Sequence, residues 1–122
     1  MIYDVAVIGG GVVGGLIARE LTRYDHSVVI IEAKADVGGQ ASSANSGIVH
    51  AGFDAKAGSL KAHYNVRGNA MMEGVCRELG VKFVPNTSLV LGYDEEERAT
   101  LYDLVERGKA NGVTGQIGRA HV

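Results

Sequence analysis

Tryptophan is absent, and proline and cysteine occur once each, at Pro85 and Cys76. A single cysteine excludes an internal disulfide framework and any cysteine-cluster metal site within this chain. Cys76 lies in a helical stretch and reads as a small buried hydrophobe rather than a reactive thiol. No apolar stretch approaches the roughly 18 residues that a membrane span requires. Met1 runs directly into Ile2, Tyr3 and Asp4, so no signal peptide is visible and a cytoplasmic location is the default expectation. A strong charge of one sign is also lacking. The formal net charge of −2 argues against a nucleic-acid or anionic-membrane surface.

What the chain has in excess is glycine: 18 of 122 residues, about twice the usual share, which points to tight turns and close backbone approach. The length suits one domain burying about two thirds of its unfolded surface; two large domains do not fit. The glycines concentrate first in Gly9-Gly10-Gly11-Val12-Val13-Gly14, after an apolar run over 2–8 and before a second over 28–31 that is closed by Glu32. That order is strand, glycine turn, helix, strand, acid. Gly9 permits the tight turn out of the strand, Gly11 lacks the Cβ that would hold a pyrophosphate away, and Gly14 lets the helix lie close to the sheet. The phosphates are expected on the helix N-terminus, where unpaired N–H groups and the macrodipole favour an anion. Glu32 is placed to accept hydrogen bonds from the two hydroxyls of an adenosine ribose, and its carboxylate would repel a 2′-phosphate, which disfavours NADP. Ala18 and Leu21 fall on the face that the helix must bury, while Arg19, Glu20 and Arg23 take the other.

Beyond Glu32, residues 33–58 form a long Gly-, Ala- and Ser-rich segment without a clear period; loops this long are usually functional or disordered. Ser59 is a plausible N-cap for a helix over 60–79 ended by Gly80, with Leu60, Tyr64, Met71, Val75 and Leu79 at helical spacing. Gly68 and Gly74 weaken that helix by about 1 kcal/mol each against Ala. The runs 81–84 and 88–93 around Pro85-Asn86 read as short strands about a turn. A last helix is expected over 95–110, capped by Asp94, with Leu101, Leu104 and Val105 as its apolar stripe and Asn111-Gly112 as its stop. The acidic cluster Glu95 to Glu97 is explained by helix capping rather than by metal binding, and no metal site is expected. The last six residues, 117–122, match the translation of a common short-read sequencing adapter and are expected to be non-native. His121 and Arg119 are therefore left out of site reasoning, and the native domain is expected over 1–116. His26 and His63 carry no motif and read as surface residues.

Gly14-x3-Ala18-x2-Leu21, the strand ending in Glu32, and the glycine pair Gly38-Gly39 together look like the long FAD-type version of the fingerprint. The stretch Ser42-Ser43-Ala44-Asn45-Ser46-Gly47-Ile48-Val49-His50-Ala51-Gly52 resembles the flavin-proximal loop of the D-amino-acid oxidase-like superfamily, in particular FAD-dependent glycerol-3-phosphate dehydrogenases and the related L-2-hydroxyglutarate oxidases. Similarity continues through Gly58-Ser59-Leu60-Lys61-Ala62 and Asn65-Val66-Arg67-Gly68-Asn69 to about Gln116, over the N-terminal portion of a typical member. The resemblance implies an α/β fold: a Rossmann-like FAD-binding βαβ unit with additional helices and short strands, its sheet incomplete. It also implies FAD as cofactor. Ser42, Ser43 and Ser46 would offer hydroxyls, and Gly47 a close backbone approach, to phosphate and ribityl oxygens.

His50 falls where the family's loop passes the flavin. It is the one catalytic candidate, suited to orienting the ring, tuning it or carrying a covalent link, with a His that merely satisfies a backbone carbonyl as the alternative. The implied reaction passes a hydride from a secondary alcohol to the flavin while a base takes the hydroxyl proton. No convincing base occurs in these residues. An anionic small-molecule substrate is expected, sn-glycerol 3-phosphate first, with an L-2-hydroxyglutarate oxidase, an amine-oxidising relative or a non-catalytic nucleotide-binding fragment as alternatives. The electron acceptor is not readable, and membrane association of the whole enzyme stays compatible with the sequence. One departure matters: where the aerobic glycerol-3-phosphate dehydrogenases carry a basic residue, this chain reads Phe53-Asp54-Ala55. Asp54 would repel an anionic substrate unless Lys56, Lys61 or a later cation compensates.

Overall fold

The computed structural model describes residues 1–114 of the chain. The expected boundary at 116 and the tail over 117–122 lie outside the described residues. The chain divides into two compact units, Met1–Ile48 and Val49–Val122.

The first unit is a βαβ crossover. Strand β1 (Val5–Ile8) leads into helix α1 (Val12–Leu21), which returns to strand β2 (Val28–Ile31). The strands pair in parallel, in register from Val5 with Val28 to Ile8 with Ile31. Parallel neighbours cannot be joined by a tight turn, so a crossover is obligatory and α1 supplies it. The register is clasped at its start by Asp4 and Ser27. The Asp4 carboxylate accepts from the Ser27 N–H at 2.8 Å and from its hydroxyl at 2.6 Å, while the Asp4 N–H donates to the Ser27 carbonyl oxygen at 3.1 Å. Those bonds occupy Asp4 before the ladder begins, which is why the strand is shorter than the apolar run over 2–8. Ala18 is buried to 6% exposure and Leu21 is half-buried, as expected. In β1 Val5 and Val7 are half-buried, whereas Ala6 and Ile8 face outward, Ile8 at 87% exposure.

The second unit carries helices α2 (Leu60–Glu78) and α3 (Glu95–Ala110). Ser59 caps α2 by accepting the Ala62 N–H at 3.2 Å, and the helix runs unbroken through Gly68 and Gly74. Of the expected apolar stripe Val75 is half-buried, while Leu60, Tyr64, Met71 and Leu79 are exposed; Ala62 is buried, and Val66, Met72 and Cys76 are among the half-buried positions. Asp94 caps α3 at the Glu97 N–H (2.8 Å), and Glu97 reaches back to the Tyr93 N–H (2.7 Å), a reciprocal arrangement close to a capping box. Leu101, Leu104 and Val105 are half-buried as the stripe predicts.

The short strands expected over 81–84 and 88–93 do not form. Residues 81–93 have no ladder partner among the described residues. The Asn86 N–H closes back on the Val84 carbonyl at 2.8 Å, too tight a turn to start a hairpin. A two-stranded hairpin without a face to pack on is marginal in any case, and apolar alternation does not create one. Among the described residues, no helix is long and apolar enough to cross a membrane.

Candidate dinucleotide-binding site

The loop between β1 and α1 holds the first unit's most constrained backbone. Gly9 sits at φ 103°, a left-handed conformation that side chains rarely adopt, and its N–H continues the strand pairing by donating to the Ile31 carbonyl at 2.8 Å. A Cβ built on Gly14 would collide with the Gly9 carbonyl oxygen, so the first turn of α1 rests directly on the turn that precedes it. A Cβ on Gly11 would lie 3.2 Å from the Ser42 hydroxyl. That hydroxyl accepts the Val12 N–H at 2.9 Å, which brings Ser42 to the helix N-terminus from thirty residues away. The N-cap residue, Gly11, has no side chain to do so.

Glu32 emerges from the end of β2 at the same place. One carboxylate oxygen accepts the Gly10 N–H at 2.7 Å and the other the Lys34 N–H at 2.9 Å. The Gly10 bond, and after it the Lys34 bond, holds this carboxyl below the ordinary glutamate range. Two pinned oxygens fix the plane of the group. A carboxylate has about four acceptor positions, so two remain for other donors.

Gly10 has a task that its place in the motif does not reveal. It is buried, its N–H holds Glu32, and its carbonyl accepts the Gly38 N–H at 3.0 Å. A Cβ there would press on Val37 at 2.9 Å and on the Glu32 carboxylate at 3.2 Å. The signal was present as an unbroken run of three glycines, but the partners lie more than twenty residues downstream.

The structure thus gathers Gly9, Gly11, Gly14, Glu32, Gly38 and Ser42 in one place. Other candidates are engaged locally or lie elsewhere. Gly39 follows Gly38 in the same turn region, the Ser43 hydroxyl donates to the Gln40 carbonyl at 3.0 Å, Ser46 is exposed, and the Gly47 N–H is taken by the Asn45 side chain at 2.8 Å. His50 belongs to the second unit, where its ring is exposed and its carbonyl accepts from Asn69 at 3.1 Å.

Two carboxylates with lowered pKa values make a pH prediction for the first unit. Asp4 is lowered chiefly by the hydrogen bond from the Ser27 side chain, Glu32 chiefly by that from the Gly10 backbone. Because the folded-state values are depressed, their contribution is fully present above the unfolded-state values and disappears as pH falls through the folded ones. Thermal stability is expected to decline below about pH 4, where unfolded carboxylates protonate. The combined Asp4→Asn and Glu32→Gln variant should show a flatter acid limb in melts from pH 6 to pH 2.5; an acid limb as steep as that of the unsubstituted chain would refute the assignment.

A parallel βαβ crossover with a glycine turn at the helix N-terminus and an acid at the end of the second strand defines a dinucleotide-binding unit of the Rossmann-like class. The chain belongs to the DAO family of FAD dependent oxidoreductases, whose family model matches residues 4–121. It is 51% identical over 111 residues to a glycerol 3-phosphate dehydrogenase of Caloramator mitchellensis, covering 91% of this chain and 23% of that protein. It is 37% identical over 114 residues to a mitochondrial L-2-hydroxyglutarate dehydrogenase of Dictyostelium discoideum, covering 92% of this chain and 26% of that protein. Among solved structures it resembles dithionite-reduced L-alpha-glycerophosphate oxidase from Mycoplasma pneumoniae with FAD bound. That likeness has a TM-score of 0.78 at 31% identity, over 94% of this chain and 30% of the other. The Rossmann-like expectation and the family resemblance both hold. The chain spans about a quarter of the length of the curated relatives it matches.

Proposed function

We propose that the first unit holds the ADP half of FAD, and that the whole protein oxidises sn-glycerol 3-phosphate at its secondary alcohol. The observation that carries the cofactor reading is the Glu32 carboxylate, fixed between the Gly10 and Lys34 N–H groups beside the N-terminus of α1. In this reading Glu32 accepts the ribose hydroxyls, and the diphosphate lies against the backbone at Gly11, where no Cβ stands in the way, with the Ser42 hydroxyl as a donor. Gly14 and Gly38 shape the cradle. Gly39, Ser43, Ser46 and Gly47 are assigned to the cofactor's further course, and His50 to the flavin ring. Bound flavin supplies the hydride acceptor; the chain's task is to hold and orient it.

The substrate reading is supported by the identity of 51% with a glycerol 3-phosphate dehydrogenase against 37% with an L-2-hydroxyglutarate dehydrogenase. Asp54, the departure from the family's basic residue, has Lys61 as its counter-ion, Nζ to Oδ2 at 3.7 Å. An exposed pair of this kind adds little stability, yet it offsets the negative charge that an anionic substrate would otherwise meet. The whole protein is expected to purify with stoichiometric FAD and to lose its visible flavin absorbance when sn-glycerol 3-phosphate is added anaerobically. Bleaching by L-2-hydroxyglutarate but not by sn-glycerol 3-phosphate would reject the substrate, and protein that takes up no FAD would reject the cofactor site.

A further inference from the structure

The segment from His50 to Ala55 has an unusual set of hydrogen-bond partners. Four of its carbonyl oxygens accept from side chains far along the chain. Asn69 Nδ2 on α2 takes His50 at 3.1 Å, and Arg107 Nη1 on α3 takes Asp54 at 3.1 Å. Asn111 Nδ2, one residue past α3, takes both Gly52 at 2.9 Å and Ala55 at 2.8 Å. The segment is also pressed inward: Gly52 and Ala55 are buried, Gly52 has φ 97°, and a Cβ there would lie 2.8 Å from Val66 of α2.

We propose that Asn111 is a positioning residue, the centre of a clamp with Asn69 and Arg107 that sets the backbone of residues 50–55 and through it the surroundings of the flavin ring. The proposal rests on the reading above that this segment faces the flavin. Asn111 is suited to the role because its two jobs are separable. Its backbone N–H ends α3 by donating to the Arg107 carbonyl at 2.9 Å, so the side chain is not needed to stop the helix. The amide orientation is also dictated by its partners, since two carbonyl oxygens face it and only an NH2 group can satisfy both. The Asn111 Oδ1, turned the other way, is buried without a partner. A polar atom left so is costly, and the two amide bonds offset that cost.

Asn111→Asp keeps the shape and replaces both donors by acceptors, which turns two attractions into repulsions. Lys56, exposed and next to Ala55, reports on the segment through its susceptibility to trypsin. In the FAD-loaded whole protein, Asn111→Asp is expected to raise the rate of cleavage after Lys56 at least tenfold, with cleavage after Arg98 in α3 unchanged, and to alter the visible circular dichroism of the bound flavin. Asn69→Ala, at an exposed helical position, should produce the same changes more weakly and serves if the first variant does not fold. Unchanged cleavage after Lys56 in both variants overturns the clamp. Faster cleavage with an unaltered flavin spectrum overturns the positioning role. Failure of the unsubstituted protein to bind FAD sinks the functional reading, and the positioning role with it, while the cleavage rates still decide the clamp.

Discussion

Gly14→Ala is expected to cost the protein its flavin, while Gly15→Ala, one residue later, is expected to leave the flavin bound and the fold slightly more stable. A Cβ at Gly14 meets the Gly9 carbonyl oxygen, the Gly9 carbonyl carbon at 3.1 Å and Val7 at 3.4 Å; a Cβ at Gly15 meets nothing within 4 Å. The obstacle at Gly14 is main chain held at both ends. Gly9 donates to Ile31 and occupies a left-handed conformation, so it cannot yield without unpairing the end of β1 or lifting α1 off the sheet. Overpacking of that kind costs about 1–3 kcal/mol and sometimes more. The same displacement moves the N-terminus of α1, and the Ser42 hydroxyl bonded to it, away from the proposed phosphate position. At Gly15 the ordinary helix preference operates, and alanine should add about 0.5–1 kcal/mol. Flavin content after gel filtration, read beside the melting temperature of each variant, decides the matter. Equal behaviour of the two variants would show that the turn is not seated as described.

The contrast between these neighbours also marks how far the sequence could be read. Gly9, Gly14 and Glu32 were legible because each answers a demand of one local element: a left-handed turn, a close approach, an acid at a strand end. The helix limits at Ser59, Asp94 and Asn111-Gly112 were legible for the same reason, since caps are chemistry within four residues. Gly10 was not, because its burial follows from Glu32 and Val37, which reach it only after the chain has crossed over and come back. The runs 81–84 and 88–93 look like strands in the sequence but pair with nothing among the described residues, because alternation records what a strand would bury and not whether a neighbouring strand exists. The stripe from Leu60 to Leu79 was read correctly as helical, but periodicity does not say which face meets a partner, and Ala62 and Val66 lie on the covered side. Donors to residues 50–55 lie 19 to 59 positions downstream, beyond the range of any spacing rule.

Glu32→Gln should weaken FAD binding by about 10- to 100-fold, because hydrogen bonds to a charged acceptor are the strong ones. The variant is nearly isosteric, so the change is confined to donors and acceptors. In the native chain both carboxylate oxygens accept from backbone N–H groups, Gly10 on one side and Lys34 on the other. A glutamine offers one acceptor oxygen and one NH2 group, so one of those N–H donors must face another donor whichever way the amide turns. The group then loses both its negative charge and its fixed plane, and the ribose hydroxyls lose the acceptors assigned to them. Fluorescence quenching of FAD titrated into apoprotein gives the affinity, and competition by ADP isolates the contribution of this half of the cofactor. If Glu32 acts on the ribose, the variant should lose affinity for ADP by the same factor as for FAD. A loss for FAD with ADP affinity unchanged would place Glu32 outside the adenosine site, and retention of FAD within threefold would leave it a structural pin for Gly10 and nothing more.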